Sequence, residues 1–286
     1  MIIFKQPADI HSFLRTKKNE KIATGFVPTM GALHLGHIGL IQKARLENDL
    51  VIGSIFVNPT QFNDAKDFEK YPLTIEKDIL SLEKAGCDIL FLPSVNGVYP
   101  FGVNPSITYN LGYLETILEG EFRLGHFQGV CQVVHRLLQI IIPGRLYLGQ
   151  KDFQQCMVIK KLIADYCIDT EIVICATKRE ADGLAMSSRN TRLNENERKT
   201  APAIYEALLL IEGSLKKGNT DELKKSVIAQ LTKKGLKVDY VEIATAHSLD
   251  ILHEWDGKTI TVALIAVFLN EVRLIDNLIL QPRSFC

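Results

Sequence analysis

The sequence has no apolar stretch close to the length of a membrane span. Runs such as residues 137–143 fall far short of the roughly 20 residues that a spanning helix needs. It has no excess of charge: 33 basic residues face 33 acidic ones, and the formal net charge is zero. That removes any global electrostatic case for a nucleic-acid or membrane partner, a tRNA-binding role included. No CxxC or Cys/His zinc spacing occurs. The six cysteines (Cys87, Cys131, Cys156, Cys167, Cys175 and Cys286) are scattered, mostly in apolar company, as buried free thiols are. Such usage suits a reducing cytoplasm. The first residues show no basic segment leading into an apolar one, so no signal peptide is expected. The dinucleotide loop GxGxxG and the phosphate loop GxxxxGK[ST] are missing at the chain's main glycine-rich turn. Repeats, low-complexity segments and a disordered tail are absent as well. What remains is an ordinary globular composition, 47% hydrophobic and 23% charged over 286 residues. That length suffices for a large core and two domains.

The stretch that organises the chain is residues 26–41, FVPTMGALHLGHIGLI. An apolar run ends at Val27 and Pro28 breaks it. Gly31, Gly36, Gly39, His34 and His37 follow, and an apolar-periodic segment then begins at Leu40 and Ile41. The pattern predicts a strand, a glycine-rich turn and a helix start. Glycines let backbone approach a ligand, and the first helical N–H groups point outward unsatisfied. Two imidazoles three residues apart share a helix face if the turn is already helical. Together they suit a phosphate. The alternative is a strand-to-helix loop with two solvated histidines.

Around this junction, strand and helix alternate. A short helix is expected from Pro7 to Thr16. Residues 50–57 read as a strand buried on both faces, closed by Asn58-Pro59 and a loop with Gln61, Phe62 and Asn63. Residues 74–85 read as a helix stopped by Gly86, and residues 88–92 as the next strand. The alternation predicts an α/β fold: a parallel sheet with helices on both faces, whose ligands lie beyond the carboxyl ends of the strands. Turn signals crowd residues 94–125, at Asn96-Gly97, Pro100, Gly102 and Pro105. Next come a largely apolar helix over residues 126–142, a strand over Arg145–Gly149, a helix opened by Gln150-Lys151-Asp152 and a fifth strand over Glu171–Cys175. After residue 191 the texture changes to two amphipathic helices, over residues 195–217 and 220–234. Three strand-like segments follow, over residues 238–244, 259–267 and Val272–Leu280. This reads as a smaller C-terminal α+β domain, with the boundary between residues 190 and 191.

A series of motifs then runs in order over residues 26–192. Pro28-Thr29-Met30-Gly31 precedes His34-Leu35-Gly36-His37. Phe56 to Phe62 spells FVNPTQF. Tyr71-Pro72-Leu73-Thr74 leads to Asp78, and Glu119-Gly120-Glu121-Phe122-Arg123 leads to Gly125-His126-Phe127 and Gly129-Val130. Gly149-Gln150-Lys151-Asp152 leads to Gln154-Gln155. Arg179-Glu180-Ala181-Asp182-Gly183-Leu184-Ala185-Met186-Ser187-Ser188-Arg189-Asn190 closes the series. His34 to His37 resembles the HxGH signature of the nucleotidylyltransferase and class I aminoacyl-tRNA synthetase superfamily. The whole series resembles the pantothenate synthetase (pantoate–β-alanine ligase) family, with looser agreement as far as Asn277. Two positions depart from the family pattern: Leu73 stands for the usual Arg, and Leu124 for the usual Pro.

The resemblance implies a Rossmann-like catalytic domain and a C-terminal lid that keeps water from a reactive adenylate. It implies ATP-dependent joining of pantoate to β-alanine through pantoyl adenylate, with release of AMP and pyrophosphate. His34, His37, Lys151, Ser187, Ser188 and Arg189 would be the catalytic donors. Met30, Gly31, Gly36, Gly149, Asp152, Lys178 and Met186 would join them in binding ATP. Gln61 and Gln155, with Met30, would hold pantoate: an amide both donates and accepts, as a hydroxy-acid requires. Asp78 is a Mg²⁺-side carboxylate or a solvated helix residue. Asp152 binds ribose or caps its helix. Arg123 serves the site or pairs with Glu119 or Glu121. A cytoplasmic homodimer using Mg²⁺ is implied by the likeness. Two rivals remain: a nucleotidylyltransferase with a different acceptor, and a nucleotide-binding regulator without turnover.

Overall fold

In a computed structural model, residues 1–62, 69, 71–103 and 107–282 are described. Asn63, Pro105 and Cys286 of the sequence reading lie outside them. The chain divides into two compact units, Met1–Gln150 with Gln154–Ala176, and Lys151–Phe153 with Thr177–Cys286.

The first unit is built on a six-stranded parallel sheet. Its strands are β1 (Ile2–Phe4), β2 (Thr24–Thr29), β3 (Leu50–Ile55), β4 (Ile89–Phe91), β5 (Arg145–Gly149) and β6 (Glu171–Cys175), in the order β1-β4-β3-β2-β5-β6. The helices between them are α1 (Pro7–Asn19), α2 (Leu35–Glu47), α3 (Ile75–Lys84), α4 (His126–Ile141) and α5 (Phe153–Asp165). Alternate strand residues feed two cores. Phe26, Ile52, Ile89, Phe91, Leu146 and Leu148 pack with α1, α4 and α5. Val27, Val51, Leu90 and Tyr147 pack with Ile41 and Ala44 of α2 and Leu82 of α3. A sheet covered on both faces needs strands that are apolar throughout, which is why these read as continuous runs.

The expected parallel sheet with helices on both faces is therefore present. The sequence reading missed β1, whose three residues carry too short a pattern to stand out. It also ended the second strand before Pro28, whereas β2 continues to Thr29. Proline is tolerated there because β2 and β5 pair only at Gly25↔Arg145 and Phe26↔Leu146. Past Phe26 that side of β2 makes no ladder, so the missing N–H costs nothing. The same divergence matters for function. The connections leave β2 and β5 in opposite directions along the sheet, and the crevice beyond their carboxyl ends is where ligands of open parallel sheets bind.

The second unit packs α6 (Ala203–Ser214) and α7 (Asp221–Lys233) on an antiparallel sheet of order β11-β10-β8. Its strands are β8 (Lys237–Thr245), β10 (Thr261–Leu269) and β11 (Val272–Leu280), and the short β7 (Gly218–Asn219) pairs with β9 (Glu254–Trp255). The helix expected over residues 195–217 is two pieces, Glu195–Thr200 and α6. Pro202 lies between them and cannot continue the first. The division between units falls at Ala176/Thr177, where the reading put it at 190/191. Segment 179–190 goes with the second unit because it is bonded to β11: Arg179 donates to Asp276 and to the Asn277 carbonyl. No helix of the described residues is long and apolar enough to cross a membrane.

Ile52 lies wholly buried in β3. Replacing it with alanine should lower the unfolding free energy by about 2–5 kcal/mol. Urea denaturation followed by circular dichroism checks this; a loss under about 1 kcal/mol would mean the site collapses around the cavity.

Candidate active site

The turn after β2 is held from three sides. Gly31 has φ +84°, and a Cβ there would come 3.2 Å from both Asp78 Oδ2 and Ile55, so glycine is required on two counts. Asp78, on the first turn of α3, is 1% exposed. Its Oδ2 accepts from Ala32 N and its Oδ1 from Leu33 N, each at 2.9 Å, and Thr74 Oγ1 adds a bond of 3.1 Å. The structure thus gives Asp78 a task inside the protein: both oxygens anchor the backbone that leads into α2. It is not a solvated helix residue.

The two histidines finish the turn. His34 is the N-cap of α2 and its Nδ1 accepts from Gly36 N at 3.1 Å; His37 Nδ1 accepts from His34 N at 3.4 Å. The rings lie 4.0 Å apart. A ring nitrogen that accepts from an amide carries no proton, so in each neutral ring the proton sits on Nε2. Both imidazoles are therefore fixed as Nε2–H donors. Both histidines are half-buried and bonded into the turn rather than simply solvated.

Gln61 sits in the same unit, on the turn Pro59–Gln61 after β3. Its Nε2 lies 2.7 Å from Met30 Sδ, and its Oε1 accepts from Asn58 Nδ2 at 3.3 Å. Asn58 is itself locked, donating to Gly129 O and accepting from Tyr99 Oη at 2.8 Å. Burial pushes the Tyr99 phenol up to about 12, which keeps it a donor. His126 Nδ1 bonds Gln61 O at 2.8 Å, and Arg123 reaches both His126 Nε2 and Glu119. Gly129 packs so tightly on this turn that a Cβ would meet Thr60 O at 2.2 Å. The Glu119–Val130 motif is thus the bed of the Gln61 turn. Sequence reasoning missed Asn58 and Tyr99 as its orienters. Of the two glutamines on α5, Gln154 is buried and spent on Glu119 N, Leu114 O and Ile117 O. Gln155, one position on, is half-buried. Gly149 ends β5 with open space where a Cβ would stand.

The second unit holds the other expected residues. Segment 178–190 is a tight hairpin: Met186 N donates to Lys178 O, Glu180 N to Leu184 O, and Arg179 bridges Ala185. Met186 is buried and Lys178 exposed. Ser187 caps the following turn, Ser188–Arg192, by accepting from Arg189 N at 3.2 Å, which leaves its own O–H to donate. Lys151 lies 3.5 Å from Asp152 and gives its carbonyl to Asn277 Nδ2 at 2.8 Å. Asp152 is within the turn Gln150–Asp152 that opens α5, with its carboxylate toward Lys151. Burial raises the Asp276 carboxyl, and the Arg179 guanidinium opposes that shift. Of the two departures from the family pattern, Leu73 is 70% and Leu124 78% exposed. Among the described residues no group of three or more His, Cys, Asp or Glu is arranged to hold a metal ion.

A doubly covered parallel sheet, whose first glycine turn presents two capping histidines as donors, defines an α/β protein of the HxGH type. Likeness to known proteins narrows this further. The family described as Pantoate-beta-alanine ligase matches residues 2–279. A pantothenate synthetase of Cytophaga hutchinsonii is 43% identical over 98% of this chain and 99% of its own. The crystal structure of pantothenate synthetase from Thermus thermophilus superposes with a TM-score of 0.88 at 37% identity, covering 99% of this chain and 100% of that one. That of a Francisella tularensis pantoate-beta-alanine ligase, complexed with beta-gamma ATP and beta-alanine, gives 0.79 at 40% identity over 98% and 97%. The chain belongs to the pantoate–β-alanine ligase family.

Asp78→Ala removes charge-assisted bonds to two backbone amides, each worth about 1.5–3 kcal/mol. Amide exchange at Ala32 and Leu33 should speed up by about tenfold or more, while exchange across β3 is unchanged. Unaltered exchange at both amides would remove Asp78 from its anchoring role.

Proposed function

We infer that this chain joins pantoate to β-alanine with ATP, giving pantothenate, AMP and pyrophosphate. The observation that carries the reading is the turn over residues 30–37, where His34 and His37 are each held as Nε2–H donors and Met30 meets the Gln61 amide. Family membership over nearly the whole chain supports it.

Two steps follow from the chemistry. A pantoate carboxylate oxygen attacks the α-phosphorus of ATP, and the bond to the β-phosphate oxygen breaks. The pantoyl adenylate so formed has a good leaving group on its acyl carbon. The β-alanine nitrogen attacks that carbon, the bond to AMP breaks, and the nitrogen gives up a proton as the amide forms. In both steps the protein's task is to position reactants and stabilise charge. His34 and His37 donate to phosphate oxygens as charge grows on them. Lys151, Ser187, Ser188 and Arg189 stabilise the departing pyrophosphate. Hydroxyl, ammonium and guanidinium donors are the groups suited to that. Gln61 and Gln155 orient pantoate. Met30, Gly31, Gly36, Gly149, Asp152, Lys178 and Met186 complete the ATP contacts.

Among the described residues no three or more His, Cys, Asp or Glu gather to hold a metal ion, and the Asp78 oxygens accept from backbone amides. Magnesium is read as arriving on the phosphates of ATP, as part of the substrate. The five described cysteines are free thiols, which supports a reducing, cytoplasmic setting. A homodimer is proposed on family likeness; light scattering at micromolar protein checks it, and a monomer mass would end that reading.

The direct test resolves AMP, ADP and pyrophosphate by chromatography after incubation with pantoate, β-alanine and MgATP. AMP that appears only with β-alanine, together with a new amide, is the expected result. No pantoate-dependent turnover would favour a nucleotidylyltransferase with another acceptor. In the same assay His37→Ala should lower the adenylation rate by about 10²-fold or more; near-normal adenylation would remove His37 from the catalytic set.

A further inference from the structure

Strand β11 reads VRLIDNLIL. Within this apolar run two adjacent polar side chains, Asp276 and Asn277, are only 4% and 2% exposed. Burying a carboxylate and an amide costs several kcal/mol unless each is partnered, and a well-packed apolar pair would often stabilise the fold as well or better. Their partners explain their presence. Asp276 receives the Arg179 guanidinium through two bonds, of 2.5 and 3.0 Å. Asn277 donates from Nδ2 to the Lys151 carbonyl at 2.8 Å, and its own carbonyl accepts from Arg179 at 3.3 Å. Among the described residues β11 is an edge strand, so that carbonyl faces a side where no further strand pairs.

The Arg179 anchor is itself rigid. Its guanidinium also donates to Gly183 O and lies 3.9 Å from the Tyr205 ring. A Cβ on Gly183 would meet that ring at 2.3 Å. From Arg179 the constraint continues along the hairpin, through the Arg179–Ala185 bridge and the bond from Asn190 Nδ2 to Ala185 O. Ser187, Ser188 and Arg189 lie inside that last loop.

We propose that Asp276 and Asn277 are positioning residues for the ATP phosphates. Asp276 acts through Arg179 on the loop bearing Ser187, Ser188 and Arg189, and Asn277 acts through the backbone of Lys151. The proposal rests on the phosphate roles given above to Lys151 and that loop. Two neighbouring residues of one strand thereby tie two phosphate-reading segments, far apart in sequence, to a common frame. Neither touches substrate.

The test separates the two half-reactions in full-length protein. Adenylation is read as pantoate-dependent exchange of labelled pyrophosphate into ATP. Amide formation is read as reaction of β-alanine with pantoyl adenylate supplied from outside. Asn277→Leu keeps the volume and removes the bond to Lys151. A misplacement of phosphate contacts by a fraction of an ångström to one ångström should lower kcat for exchange by about 10- to 100-fold. KM for pantoate and the rate of amide formation should stay within about twofold of the parent. Arg179→Lys keeps the charge and loses the fork, and should show a smaller loss of the same kind. Should Asn277→Leu fail to fold, Asn277→Ser carries the same measurement. Full exchange activity in folded variants overturns the proposal, as does an equal loss in both half-reactions that tracks a lowered melting temperature. Lys151→Ala is the control. If it leaves exchange intact, the reading of Lys151 has failed, and the Asn277 arm falls with it.

Discussion

A helix cannot satisfy its own first amides, and that constraint shapes the site. The groups that satisfy them here are not the usual serine or aspartate but the two imidazoles, each accepting through Nδ1. A hydroxyl cap would meet the same need. An imidazole meets it and is left with a proton on the opposite side of the ring, on a rigid plane, several ångströms further out. Capping and donation thus become a single requirement. The helix start cannot form in this geometry without setting the tautomer that a phosphate needs. Asp78 extends the principle one turn earlier, since its oxygens take the amides of Ala32 and Leu33 that precede the cap.

The polar groups behind these donors are mostly carboxamides. Asn58 orients Gln61, Gln154 fixes the Leu114–Glu119 region, and Asn277 holds Lys151. A carboxamide supplies donor and acceptor without charge. It can therefore be buried against backbone carbonyls and amides at lower desolvation cost than an ion. The buried carboxylates are each partnered: Asp276 by a two-bonded guanidinium, Glu119 by Arg123, and Asp78 by the amides of Ala32 and Leu33.

Much of this was legible in the sequence, for physical reasons that differ by level. Strands β2 to β6 showed as apolar runs because a doubly covered parallel sheet buries both faces. A helix start after the glycine-rich turn showed because glycines punctuate it, although the periodic segment was read from Leu40 and the helix begins at Leu35. The residues that the resemblance implies touch ligand, such as His37 and Gln61, could be named because they sit inside short contiguous motifs. Their supports were harder to see. Gln154 and Gln155 are chemically identical neighbours, and only the three-dimensional direction of each on α5 tells a spent amide from a half-buried one. Tyr99 lies 41 residues from Asn58, a pairing that no local periodicity can express. Asp276 and Asn277 did leave a signal, two adjacent polar residues within an apolar strand, but not what they hold. The helix over residues 195–217 was overextended because its amphipathic pattern runs across Pro202.

The departures at Leu73 and Leu124 follow from the same division between frame and surface. Both side chains are largely solvent-exposed, so neither substitution disturbs a core. Leu124 precedes Gly125, which takes φ +78° as the cap of α4. A proline at 124 would restrict the unfolded chain, and its absence costs about 0.4–1 kcal/mol of entropy if the backbone there is compatible. The folded turn does not depend on that restriction, because the next residues are held directly: His126 by Gln61 O and Arg123, Gly129 by contact with Thr60. A turn fixed by its bonds can lose a proline and keep its shape, provided the bonds remain. Leu73 stands before Thr74, whose hydroxyl donates to Asp78. The anchor of the histidine turn therefore runs through Thr74 and Asp78, and is independent of what side chain occupies 73.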